Sequence, residues 1–215
     1  MRIVKLGVLF FFIGCIGISC GNTSQESFDY GKVENSVYSN AFFGLTMDVP
    51  EAWMVQSQEQ TQLLHERGKD FVAGDDKRLK KAIDASTVNT AYLLTVFKYE
   101  VGSAVDYNPS YILMAENIKY APGIKSGKDY LIHSKKFMER SNVTYEYISD
   151  SIEQEFLNGF EFYKMETRID YYGLIITQLY YSTIKNGFSL CVILSYTDEA
   201  QKAELEGVLN SLTIS

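Results

Sequence analysis

A chain of 215 residues with 46% hydrophobic and 22% charged residues has the composition of an ordinary globular protein, which excludes wholesale disorder and a polytopic membrane protein. Its formal net charge is −7, and loss of Arg2 and Lys5 with an N-terminal signal would take it to −9. An acidic chain without a clustered basic face excludes nucleic acid as a partner.

Two cations between Met1 and Lys5 precede an uncharged, mostly apolar run from Leu6 to Ser19, and a polar stretch opens at Cys20. This is the order of a secretory signal. The fourteen-residue run is shorter than the about 20 helical residues that span a bilayer. Gly17, Ile18, Ser19 and Cys20 resemble a bacterial lipobox, in which small or apolar residues precede the cysteine that receives the lipid. Cys15 is a competing site, but a cut there leaves Ile16 and Ile18 at the mature end, whereas a cut before Cys20 leads directly into Gly21, Asn22, Thr23 and Ser24. The expectation is a signal peptide at 1–19, lipidation (palmitate among the acyl chains) at Cys20, and a lipidated tether at 20–36 rich in Gly, Ser, Asn and Glu. Such a chain is held on a bacterial membrane in the cell envelope, on its periplasmic or extracellular side, because each buried methylene contributes about 0.8 kcal/mol.

Residues 37–215 then read as one globular domain. Two short extended stretches lie between Val37 and Val49, the second alternating Leu45, Met47 and Val49 with Thr46 and Asp48. Ser57 and Gln60 form a capping-box pair that starts a helix over about 58–73, with Leu63, Leu64, Arg67 and Phe71 at helical spacing. Gly74 ends it in a left-handed conformation, and Asp75 caps a second helix that buries Leu79, Ala82 and Ile83. The basic run Lys77, Arg78, Lys80 and Lys81 is a solvated face of that helix.

Strands follow over Tyr92 to Tyr99 and Tyr111 to Ile118, and a third helix starts at Ser126 and Asp129 with Tyr130, Leu131, Phe137 and Met138 on one face. Tyr163, Met165, Thr167 and Ile169 alternate with Lys164, Glu166, Arg168 and Asp170, a strand with one face toward water or paired charge. Asn186 and Gly187 suit a two-residue type I′ turn, so strands 174–185 and 188–196 form a hairpin that sets Tyr181 opposite Val192 and Tyr180 opposite Ile193. A last helix begins at Asp198 and presents Leu205, Val208, Leu209 and Leu212.

Tyr38, Asn40, Phe43, Gly44, Leu45, Met47, Val49, Pro50 and Trp53 are similar to the opening of PsbP-like domains, where an aromatic and Asn precede Phe-Gly, an alternating strand and Pro-x-x-Trp. The resemblance covers 37–215. It implies an α+β fold, a single antiparallel sheet sandwiched by helices, in a superfamily used mainly for binding and assembly; it supplies no catalytic residues.

Chemistry is sparse. His65 and His133 lie far apart on helices and read as solvent-facing, so no metal or cofactor is expected. Cys191 has no intrachain partner once Cys15 and Cys20 are assigned, and reads as a small buried hydrophobe. One feature of the hairpin invites a site: a face of small and mixed side chains, Gln178, Tyr180, Ser182, Ser189, Cys191 and Ser195. Such a face either seats a closely packed helix or floors a shallow polar cleft, and Gln178, Tyr180, Ser182 and Ser195 are the candidate ligand residues. The leading expectation is a non-enzymatic envelope lipoprotein that binds a partner protein or cell-surface component. A small-molecule or glycan binder using that face comes second and an envelope hydrolase third.

Overall fold

The structure, a computed structural model, describes residues 28–215. The signal, Cys15 and Cys20 lie outside the described residues. In chain order the elements are β1 (Lys32–Glu34), β2 (Val37–Asn40), β3 (Leu45–Asp48), β4 (Met54–Val55), α1 (Gln58–Ala73), α2 (Lys77–Thr87), β5 (Thr90–Phe97) and β6 (Ser110–Asn117). They continue with α3 (Gly127–Met138), β7 (Tyr145–Ile148), β8 (Glu153–Leu157), β9 (Phe160–Tyr171), β10 (Leu174–Lys185), β11 (Phe188–Tyr196), α4 (Glu199–Asn210) and β12 (Thr213–Ile214).

Eight strands form one antiparallel sheet in the order β4-β5-β6-β11-β10-β9-β7, with β8 also paired to β9. Its spine is the hairpin β10–β11. Asn186 and Gly187 both take positive φ, +52° and +79°, as a type I′ turn requires, and the ladder pairs Tyr181 with Val192, Leu179 with Leu194, Tyr180 with Ile193 and Ser182 with Cys191. Because side chains alternate along a strand, this register splits the interior into two cores. One, containing Tyr180, Cys191 and Ile193, is closed by Leu64 and Val72 of α1, Leu79 and Ile83 of α2, and Tyr130, Leu131 and Met138 of α3. The other, containing Leu179, Leu190, Val192 and Leu194, is closed by Leu205, Val208 and Leu209 of α4 and by a second, four-stranded sheet.

That small sheet, in the order β1-β2-β3-β12, is an addition to the expected single sheet between helices. The residues that carry the PsbP-like resemblance are its core. Tyr38, Phe43, Leu45, Met47 and Val49 are buried against the large sheet, and Trp53 packs at its margin. Asn40 holds the turn by accepting from the Phe43 N–H at 2.9 Å while its Nδ2 donates to the Asp29 carbonyl at 2.8 Å.

The expected tether is therefore too long. Residues 28–36 belong to the domain: β1 pairs with β2, and the Phe28 ring packs against Phe43 and Phe188. Asp29 accepts from the N–H groups of Gly31, Ala41 and Phe42. Polar composition concealed this segment because side-chain-to-backbone bonds, rather than an apolar stripe, hold it.

Helix starts follow their capping residues. Gln60 N–H donates to Ser57 Oγ and the Gln60 side chain accepts from Ser57 N–H, the reciprocal box. Ser126 caps α3 and Asp198 caps α4 in the same sense. Asp76, not Asp75, caps α2, accepting from the N–H groups of Arg78 and Leu79, and this depresses its pKa. Gly74 has positive φ (+51°) with ψ −126°, outside the left-handed helical region that the sequence suggested.

The apolar stripe of α1 also differs from expectation. Leu63 and Phe71 are exposed, and the buried face is Thr61, Leu64, His65, Gly68 and Val72, where small residues allow close approach to α2 and the sheet.

Candidate binding surface

The four candidate ligand residues lie together on one face of β10–β11, and all are sealed. Gln178, Tyr180, Ser182 and Ser195 have at most 1% of their surface exposed. The Tyr107 hydroxyl, from the β5–β6 connection, hydrogen-bonds with Ser195 Oγ. Gln178 Nε2 donates to the same oxygen at 3.3 Å, and the Tyr180 hydroxyl donates to Gln178 Oε1 at 2.7 Å. Ser182 Oγ and Ser189 Oγ lie 3.0 Å apart.

A buried polar group costs free energy unless it is hydrogen-bonded, and this network meets that need internally. The small residues seat a helix. Gly127, the first residue of α3, lies so close to β10 that a Cβ there would be 2.5 Å from the Ser182 carbonyl carbon. The face that left two readings open in the sequence is thus the helix seat, and the shallow cleft is corrected.

The histidine expectation divides. His133 is exposed, but His65 is 1% exposed, a correction to the solvent-facing reading. Its Nε2 lies 3.2 Å from Thr87 Oγ1 and its Nδ1 3.4 Å from the Tyr92 hydroxyl. Burial is the main cause that lowers the imidazole pKa to about 4, so His65 is neutral at pH 7. The same core holds a buried carboxylate, Glu116, which accepts from the Tyr130 hydroxyl at 2.8 Å. Cys191 lies fully buried nearby, its thiol pushed above the ordinary range by burial first and Glu116 second. Among the described residues no three His, Cys, Asp or Glu side chains gather in a metal-binding group.

Open grooves lie on the surface beside α3 at Ile132 and Ile152, beside α4 at Val208, and at one end of the large sheet. A groove of about 520 Å³ runs between the start of α3 and the β8–β9 hairpin, lined by Lys125, Ser126, Phe156, Phe160, Glu161 and Tyr163 among others. Its shape follows from local sequence. Asn158 and Gly159 (φ +48° and +81°) make a second two-residue turn, which places Phe156 opposite Glu161 on the outer side of the hairpin and Leu157 on the inner. Phe156 is left 63% exposed while Leu157 is buried.

Lys185 Nζ lies 5.6 Å from the centre of the Phe160 ring, and Glu161 accepts from Gln154 Nε2 at 2.9 Å. Aromatic faces beside an ammonium and a carboxylate suit an amphipathic surface or ligand.

No family model matches the chain, and no curated protein matches it. Solved structures share part of its shape, two of them as follows. A mycobacterial protein, LpqN, described as involved in cell envelope biogenesis of Mycobacterium tuberculosis, is 13% identical with a TM-score of 0.43, over 80% of this chain and 83% of that one. A cyanobacterial PsbP from Synechocystis sp. PCC 6803 is 14% identical with a TM-score of 0.45, over 91% of this chain and 98% of that one. Likeness of this degree assigns no family.

Proposed function

We propose that the chain is a non-enzymatic binding module of the bacterial cell envelope, held at a membrane by lipid on Cys20 and working through the rim of its sheet. The observation that carries this reading is the sealing of both sheet faces. The polar side chains suited to binding, Gln178, Tyr180, Ser182 and Ser195, are held by one another, by Tyr107 and by Ser189, so contact falls to the outer surface, where the rim groove at Phe156 presents aromatic rings. The small-molecule alternative loses the site it was built on.

The test is metabolic labelling with an alkynyl palmitate analogue in cells producing the full chain or Cys20→Ala, followed by separation of membranes. The expected result is a labelled, membrane-bound wild type and an unlabelled, released variant. A Cys20→Ala chain that keeps label and stays with the membrane overturns the proposal.

A further inference from the structure

The described chain begins at one end of the large sheet, and that end differs from the other in kind. Phe28 packs its ring 5.8 Å from Phe188 and 6.3 Å from Phe42. Asn186, in the β10–β11 turn, donates to the Phe42 carbonyl at 2.6 Å. The Lys119 side chain lies over Gly187 of the same turn, where a Cβ would meet its Cε at 3.1 Å. On the turn's other flank Lys185 reaches Phe160, which leads to Phe156 and the groove beside Lys125. These contacts join into one surface, on which Tyr30 (41% exposed), Phe42 (48%), Tyr120 (68%) and Phe156 (63%) show their rings to solvent. Lys119 and Lys125 are exposed among them. The carboxylates here are engaged: Asp29 by three backbone N–H groups, Asp129 by Lys125 N–H and the Ser126 hydroxyl, and Glu161 by Gln154.

We propose that this end is a bilayer-docking surface, its occupant the interfacial zone of the membrane that carries the lipid on Cys20. The proposal rests on the anchoring reading above and adds an orientation to it. Eight residue steps separate Cys20 from Phe28, so even fully extended they reach about 29 Å. A domain of the size of residues 28–215 has a radius of gyration of about 16 Å and hence a diameter of about 40 Å. The link is shorter than the body, so the domain cannot stand upright on its far end with the Phe28 end turned away from the bilayer.

The chemistry fits the place. Aromatic rings concentrate at the membrane–water interface, and ammonium groups are drawn to anionic headgroups. The opposite end, where Phe97 pairs with Ser110 and the connection carries Val101, lies a full strand length away along β5 and β6.

The experiment uses the full, lipidated chain in vesicles of phosphatidylethanolamine and phosphatidylglycerol (about 7:3) with brominated acyl chains. Phe42→Cys, Tyr120→Cys, Phe156→Cys and Val101→Cys are each coupled to bimane; Cys191, fully buried, stays unlabelled in all of them. The expected result is loss of most emission at positions 42, 120 and 156 and little loss at 101. Vesicle-bound protein with equal emission at all four positions overturns docking and leaves the anchor standing. Wild-type protein that takes label at Cys20, or that fails to float with vesicles, overturns both.

Discussion

Gly127 offers the sharpest test of how the sheet face is closed. In Gly127→Ala the new methyl would stand 2.5 Å from the Ser182 carbonyl carbon and 3.0 Å from Thr183 N, both backbone atoms of a central strand that cannot swing aside as a side chain would. Helix α3 must move instead, and it carries four fully buried side chains, Tyr130, Leu131, Ser134 and Met138. The movement also stretches the bond from Tyr130 to the buried carboxylate of Glu116. Overpacking of a core costs about 1–3 kcal/mol, and a backbone obstacle places this case at about 3. For a domain of this size that lowers Tm by about 6–12 °C. The matched control is Gly207→Ala in α4, where a Cβ meets nothing within 4 Å and the helix gains about 0.5–1 kcal/mol, raising Tm by about 2 °C. Calorimetry or circular dichroism melts of the two variants should move in opposite directions. A Gly127→Ala protein that melts with the wild type would refute the claim that α3 sits directly on β10.

His65 gives a pH signature. Its folded pKa, about 4, lies below the unfolded value of about 6.5, so the unfolded chain binds the proton first as pH falls. Stability should therefore decline between pH 6.5 and 4 by about 3 kcal/mol relative to His65→Gln; parallel urea midpoints across that range would refute it. Tyr172 holds a positive φ of +53° at a hairpin tip while 93% exposed, so Tyr172→Asn should raise Tm by about 2 °C, and a fall would show that its ring contact with Tyr171 outweighs the backbone cost. Removing residues from Ala203 onward deletes Leu205, Val208, Leu209 and Leu212, whose burial is worth up to about 6–12 kcal/mol. That variant should lack a cooperative melt, and an unchanged Tm would defeat the prediction.

The parts of the fold that were legible are those where one local rule decides. Asn186-Gly187 demands a type I′ turn, the turn dictates the register, and the register sorts Leu179, Val192 and Leu194 to one core and Tyr180, Cys191 and Ile193 to the other. Ser57, Ser126 and Asp198 announced three helices because an uncapped helix start leaves N–H groups unpaired. What escaped had no local rule. The bulge between Tyr92 and Leu94 puts both Leu93 and Leu94 into the core shared with α4, so β5 loses its period of two. In α1 the inward face is made of Thr61, His65 and Gly68, and a stripe sought through large residues selects Leu63 and Phe71 on the wrong side.

The surface proposed for contact was illegible for a related reason. Phe42, Tyr120 and Phe156 come from three distant segments, and each looks in sequence like any core aromatic, since burial rather than ring chemistry distinguishes them. Phe156 is the clearest case: beside Leu157 in a five-residue strand, its outward orientation depends on the register that the Asn158-Gly159 turn imposes on β8 and β9. The polar face on β10–β11 shows the converse. Gln178 and Ser195 are residue types common at binding sites, yet Tyr107 arrives from a connection between strands to satisfy them, and no spacing in the sequence foretells that arrival. A buried polar group must find a partner, but the chain that supplies it is chosen by topology. For a domain with two sealed cores, function therefore has to be sought where strands end and rings are left without cover.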